Sequence, residues 1–313
     1  MTAASASELQ GVPGFSRLVT IADSAAISKT QAGEICRELE IGNIVFLPNS
    51  PIEIPEEDRE LLLGRKQSSS AYHKNIAYRP VEDRVTGLEK SESAEAETLR
   101  RVMRNYSQRS LQFLRTFLAP YADKWKLEFA SFRPIEEKGR PARLHARNDL
   151  LHFDSFPTRP TNGARILRFF TNINPKEHRV WVTSQTFEAF GPRMAKSRGV
   201  TASVTNPALR GMAAMARALH LRRSNSSPYD DLMHRCHNVM KEDAHFQETT
   251  PKSRWEFPPN SSWMVFTDCV SHAVLSGQYA LEQTLLIPQS VLVEARRSPL
   301  AILETAVGRR LTV

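Results

Sequence analysis

The chain has 313 residues, 41% hydrophobic and 24% charged, which is long enough to bury a sizeable core and excludes a disordered or fibrous class. No run approaches the roughly 20 apolar residues that span a bilayer, and the opening MTAASASELQGVPGFSRL lacks a basic stretch followed by an apolar one, so neither an integral protein nor a secretory leader is expected. Cys36, Cys236 and Cys269 are far apart and form no CxxC, which argues against a disulfide framework or zinc ribbon and for a reducing, cytoplasmic setting, while the net charge of +8 favours an anionic partner.

Residues 1–27 are expected to be poorly ordered, ahead of a single domain over 28–313. TQAGEICRELE reads as a short helix, NIVFLP as a strand stopped by Pro48, and EEDRELLLG as a helix with acidic residues at its start and Gly64 at its end. QSSSAYHKNIAYRP reads as irregular. From about Ser93 to Ala119, Leu99, Val102, Met103, Tyr106, Ser110, Phe113, Leu114 and Phe117 fall on one helical face, and Arg100, Arg101, Arg104 and Arg109 lie mostly elsewhere. This is a packing helix that Pro120 helps to end.

From Lys126 the texture changes. KLEFASFRPI, RILRFFTNIN, RVWVTSQTF, SWMVFTD and YALEQTLLI are short, aromatic and β-branched, and bounded by Pro, Asn or Gly. They predict an α+β fold whose core strands, over about 126–188 and 255–288, make an antiparallel sandwich or barrel with helices outside. Residues of about 189–247 read as a helical insertion, since NPALRGMAAMARALHLRR and SPYDDLMHRCHNVMKEDAHF each open on a capping residue and Pro. SPLAILETAVGRRL predicts a last helix over about 298–308, with Ser298 as its cap.

The chemistry concentrates in LLHFDSFPTRPTNGARILRFFTNINP, residues 150–175. Residues two apart in a strand point to one side, so His152 and Asp154 can converge on one ion. His-x-Asp is the local half of the facial triad of non-haem Fe(II) oxygenases, and the third ligand must come from a distant strand. His272 follows the SWMVFTD strand at a turn; by itself such a histidine is more often a satisfied surface or core residue. Alternation in ARILRFFTNI sets Ile166, Arg168, Phe170 and Asn172 on one face. An arginine among apolar strand neighbours needs an anion, either a bound carboxylate or a structural Asp or Glu.

LLHFDSFPTRPTNGARILRFFTNINP, together with WMVFTDCVSHAVLSGQYALEQT, resembles the Kdo 3-hydroxylases, Fe(II)- and 2-oxoglutarate-dependent dioxygenases that act on the inner-core sugar of bacterial lipopolysaccharide. The resemblance extends from about HKNIAYRP to the C-terminal SPLAILETAVGRRL and includes SPYDDLMHRCHN. It implies a double-stranded β-helix (jelly-roll, cupin-like) core. It also implies that His152, Asp154 and His272 bind Fe(II), and that O2 and 2-oxoglutarate are consumed to give succinate and CO2. The acceptor it implies is carbon 3 of Kdo in Kdo-lipid A. Many relatives of this fold anchor 2-oxoglutarate with a basic residue on the strand after the distal histidine. Here that strand offers Gln283, which forms no ion pair, whereas in other branches the anchor lies about fourteen residues beyond the aspartate, the place of Arg168. Arg168 is therefore the expected anchor, with Asn172 hydrogen-bonding the co-substrate or iron-bound water.

From Phe190 to Pro228 the chain has seven basic residues (Arg193, Lys196, Arg198, Arg210, Arg217, Arg222 and Arg223) and no acidic one. They either face an anionic membrane, which would make the protein peripheral at the inner face of the bacterial inner membrane, or form a solvated surface. Leu209, Met212, Ala216 and Leu219 either join that contact or pack on the barrel. His234, Cys236, His237 and His245 resemble a second metal cluster, but Leu232, Cys236, Val239 and Met240 form the apolar helix face and leave His234 and His237 on a solvated one. No hydrolase elbow or phosphate loop occurs. The rival readings are a same-fold dioxygenase acting on nucleic acid or protein, and a sugar- or lipid-binding barrel without turnover. No nucleic-acid reader motif appears, so no nucleic-acid partner is expected; a homo-oligomer is left open.

Overall fold

The short aromatic runs become the strands of two facing sheets. The structure, a computed structural model, describes residues 11–64, 75–88, 94–196, 201 and 226–312. The strands are β1 (Leu18–Thr20), β2 (Ile44–Leu47), β3 (Ile76–Arg79), β4 (Arg84–Thr86), β5 (Lys126–Arg133), β6 (Arg165–Asn172), β7 (Arg179–Thr186), β8 (Ser253–Phe257), β9 (Ser262–Phe266), β10 (Val270–Ser276) and β11 (Ala280–Ile287). The larger sheet runs β1-β2-β9-β6-β11-β5-β3-β4 and the smaller β10-β7-β8. Among the described residues only β1 and β2 pair in parallel. The segment around His152 takes the fourth place in the smaller sheet, through an isolated bridge to His272. This is the expected double-stranded β-helix; the five aromatic runs form β5, β6, β7, β9 and β11, and β8 and β10 add two strands that those runs did not include.

Around the sheets lie α1 (Lys29–Glu40), α2 (Glu56–Leu63), α3 (Ala94–Phe117), α4 (Phe187–Lys196), α5 (Pro228–Glu242), α6 (Ala244–Thr249) and α7 (Pro299–Val307). Ser28, Ser227 and Ser298 cap α1, α5 and α7 with their side chains, each satisfying an otherwise orphan N–H. The apolar stripe of α3 is buried as its spacing requires, against the outer face of the larger sheet. Its Ser107 donates to Gln283 at 2.7 Å, and its Phe113 packs on Phe169 at 5.8 Å. Arg100 and Arg104 hold Asp83, in the turn between β3 and β4. Even-numbered residues of β6 and β11 therefore face the interior between the sheets, where Trp263 stacks on Phe257 (4.0 Å) and Phe170 (5.1 Å) and meets Trp181 edge-on. Each such ring contributes about 1.5–3 kcal/mol by leaving water, and Phe170 and Trp181 form the wall between this stack and the functional cavity.

Three expectations need correction. Residues 11–27 are not structureless: β1 adds an edge strand, and Gly14 and Phe15 pair with β7 and its end. The stretch around Arg79 contains β3, whose Ile76 and Tyr78 are buried on the α3 side of the sheet while Ala77 faces the cavity, a period that polar neighbours hide. His272 lies within β10, not at a turn. Of the basic insertion, Arg198, Arg210, Arg217, Arg222 and Arg223 lie outside the described residues, as do Leu209, Met212, Ala216 and Leu219. Among the described residues no helix is long and apolar enough to cross a membrane.

Candidate metal centre

The His152–Asp154 segment is held from both edges. His152 and His272 exchange backbone hydrogen bonds of 3.1 and 3.0 Å, and Asp154 N–H donates to Thr267 at 2.8 Å. The alternate backbone groups point the other way, where no strand of the described residues lies. Gln247 of α6 fills that edge: its Oε1 accepts from Leu151 N–H at 2.8 Å, and its Nε2 donates to the Leu151 carbonyl at 2.9 Å and the Met240 carbonyl at 2.8 Å. His237 of α5 donates from Nδ1 to the Phe153 carbonyl at 2.8 Å. Two side chains thus satisfy the backbone that a neighbouring strand would have paired. His237 is not on a solvated face: it packs edge-on against His152, 4.9 Å between rings. His245 is exposed, and among the described residues the one cluster able to hold a metal is His152, Asp154 and His272. We expect Gln247→Ala to weaken metal binding about 10–100-fold, the usual effect of losing a group that orients a ligand. Titrating the metal-free protein with Co(II) reads this directly, and unchanged affinity would show that the strand bridge alone suffices.

The three candidate ligands, His152, Asp154 and His272, are buried, and their donor atoms lie within 4.8 Å of one another. His152 Nδ1 donates to the Leu150 carbonyl at 2.7 Å and His272 Nδ1 to the Val270 carbonyl at 2.9 Å. Each bond fixes the tautomer that leaves a lone pair on Nε2. Burial pushes His152 down to about 3 and lowers His272 as well, so both rings are neutral at pH 7. Burial would raise the Asp154 carboxyl, but Arg168 outweighs it and holds it well below the usual range. His152 Nε2 and Asp154 Oδ1 stand 3.5 Å apart. With His152 neutral this is two lone-pair donors facing each other, an arrangement that a cation relieves. Two imidazoles and one carboxylate on one side of an ion are the donor set of a non-haem iron centre.

The other expected site residues divide. Arg168 lies beside this cluster, 14% exposed in its side chain, and ties Nη2 to Asp154 (2.8 Å) and Nη1 to Glu282 (2.9 Å), while Nε has no hydrogen-bond partner. Asn172 does not line the cavity. Its amide donates to the Glu177 and Phe257 carbonyls and accepts from Asn174 N–H, shaping the turn after β6. Gln283 faces α3 on the outer side, so on β11 the residues facing the cavity are Glu282 and Thr284. Sequence reading missed Glu282, Arg133, Arg140 and Arg179. Arg133 donates through Nε to Glu282 at 3.0 Å, and Arg168 and Arg133 together overcome burial to bring Glu282 down to about 2. The cavity of about 390 Å³ contains the triad and is lined by five arginines against two carboxylates, Asp154 and Glu282. It suits small anions.

Over residues 22–310 the sequence matches the family model described as 3-deoxy-D-manno-oct-2-ulosonic acid (Kdo) hydroxylase. Among solved structures, the chain is similar to the Kdo hydroxylase KdoO, a non-heme Fe(II) alphaketoglutarate dependent dioxygenase, in complex with alphaketoglutarate and Fe(III). The identity is 30%, the alignment covers 94% of this chain and 97% of that one, and the TM-score is 0.81. KdoO in complex with succinate and Fe(III) is similar at 30% identity, the same coverage and a TM-score of 0.80. No curated protein matches.

Proposed function

The chain belongs to the 3-deoxy-D-manno-oct-2-ulosonic acid (Kdo) hydroxylase family, and on that footing we propose that it is an Fe(II)- and 2-oxoglutarate-dependent dioxygenase that hydroxylates carbon 3 of a Kdo residue on lipid A. The observation that carries this reading is the buried His152, Asp154 and His272 cluster inside an arginine-lined cavity. Iron held there supplies the oxidation, in which 2-oxoglutarate and O2 give succinate and CO2 and one oxygen atom goes to the sugar. The protein's part is placement. The Leu150 and Val270 carbonyls keep the two Nε2 lone pairs directed at the ion. Arg168 steadies Asp154 through Nη2 and offers its charge to the far carboxylate of 2-oxoglutarate, through the unpartnered Nε or an Nη1 shared with Glu282. Phe170 and Trp181 shield the site from water on the core side. Lipid A carries phosphates, and an excess of positive charge draws such a surface to a peripheral protein at the inner face of the membrane.

The test is succinate formation by the iron-loaded protein with and without Kdo-lipid A, joined to mass analysis of the sugar. We expect succinate to rise with acceptor and the Kdo to gain one oxygen atom at carbon 3. Acceptor-independent succinate with an unmodified sugar would leave the dioxygenase and remove this substrate.

A further inference from the structure

The chain crosses from the larger sheet to the smaller one at residues 267–269, between β9 and β10. This corner serves the triad twice. The Thr267 carbonyl takes the Asp154 N–H at 2.8 Å, and three residues after Cys269 stands His272, paired with His152. The corner is itself held by backbone bonds. Thr267 N–H donates to the Ile166 carbonyl at 3.0 Å, Cys269 N–H to the Phe266 carbonyl at 3.0 Å, and Phe187 N–H to the Cys269 carbonyl at 2.7 Å. At its tip the buried Asp268 accepts from Arg165 Nε at 2.8 Å. Arg165 opens β6, is wholly buried, and places its Cζ 4.2 Å from the centre of the Phe266 ring at the end of β9. Among the described residues, Arg165 Nη1 and Nη2 and Asp268 Oδ1 make no hydrogen bond. Two charges taken out of water with three polar atoms unanswered are a poor source of stability, and apolar residues of similar volume often do as well or better. What the pair supplies is direction: Arg165 grips both the end of β9 and the tip of the corner, and so ties the corner to the larger sheet.

We propose that Arg165 and Asp268 are positioning residues for the metal centre, which set the place of Asp154 relative to His152 and His272. The proposal rests on the reading of those three residues as metal ligands. The separation of His152 and His272 is fixed by their own backbone pair. Asp154 hangs from the corner instead, so a shift of the corner against the larger sheet moves the carboxylate relative to both imidazoles. Strand β6 thus acts on Asp154 by two routes. Arg168 holds the carboxylate directly at 2.8 Å, and Arg165, three residues earlier, holds the corner from which the aspartate backbone is hung. Neither Arg165 nor Asp268 lines the cavity, so an effect of either on a bound metal passes through the corner.

The experiment titrates the metal-free full chain with Co(II) and records the visible spectrum of the bound ion alongside the melting temperature. The informative variant carries Arg165→Met and Asp268→Leu together, which removes both charges at similar volume. It should melt near the unaltered protein, since a buried pair is often replaced by apolar residues without loss. It should nonetheless bind Co(II) on the order of tenfold more weakly, the low end of the effect of groups that orient a ligand, and with a changed spectrum. A core truncation remote from the corner, Leu99→Ala on α3, should do the opposite: a lower melting temperature with Co(II) affinity within about twofold. Should the double variant fail to fold, Asp268→Asn keeps an acceptor for Arg165 Nε and removes only the charge, and a smaller loss of Co(II) affinity in the same direction is expected. Co(II) affinity within about twofold of the unaltered protein and an unchanged spectrum, in whichever variant folds, would overturn the proposal. Failure of both variants to fold would also overturn it, making the pair a determinant of the fold. No Co(II) bound by the unaltered protein would defeat the metal-centre reading itself, and the proposal with it.

Discussion

His152→Ala, Asp154→Ala and His272→Ala should each yield a folded protein with turnover below detection. The folds should survive because the backbone carries the local structure: the His152–His272 pair and the Asp154–Thr267 bond use main-chain atoms that the substitutions leave in place. His272→Ala also loses a ring stacked on Trp181 at 5.3 Å, a truncation worth about 2–4 kcal/mol. Asp154→Ala leaves one nitrogen of Arg168 without its acid, at about 1–3 kcal/mol, while Glu282 still holds the other. Metal content after loading, circular dichroism and succinate formation separate the outcomes. Loss of iron with a native spectrum is the expected pattern in all three. Full turnover in any one variant would remove that residue from the ligand set.

How far the sequence reveals this site depends on whether a residue's partners are local. The His152-x-Asp154 pair was legible because two-residue spacing is itself the geometry that brings both side chains to one ion. His272 was not legible from its surroundings; only the family resemblance picked it out, since its partner lies across a bridge 120 positions away in the chain. Periodicity placed β11 but not its faces. Every residue of that strand is buried, so alternation carries no signal and does not separate Gln283 from the cavity-facing Glu282. Asn172 shares the parity of Arg168, yet at the strand's end the turn takes up its amide. Arg133 and Arg179 close and open strands, where a charged residue ordinarily marks the surface. Gln247 and His237 belong to helices whose own pattern explains them without reference to the metal. Their role appears only when α5 and α6 are laid along the edge of residues 151–153.

Glu282→Gln should be among the most destabilising single changes in the cavity. Glu282 is 2% exposed and is held by both Arg133 and Arg168. Removing its charge leaves two guanidiniums facing each other away from water, and breaking a buried pair in this way costs about 3–5 kcal/mol. The melting temperature should fall on the order of 10 °C. Added 2-oxoglutarate should recover more stability in this variant than in the unaltered protein, because its far carboxylate supplies Arg168 with the lost charge. Ligand at a hundredfold of its Kd contributes about 2.7 kcal/mol. Arg168 is the converse case and decides between two roles. As an anchor, Arg168→Ala should raise the 2-oxoglutarate KM on the order of 30-fold or more. Arg168→Lys should restore part of that loss, since it keeps a point charge but not the fork. As a strut between Asp154 and Glu282, Arg168→Ala should instead weaken iron and leave the co-substrate KM unchanged, and lysine should restore iron affinity. The fork has its two terminal nitrogens on protein carboxylates, and Nε alone lacks a partner. An anchor role therefore requires the co-substrate to share Nη1 with Glu282 or to take Nε. The co-substrate and metal titrations of the same two variants distinguish anchor from strut.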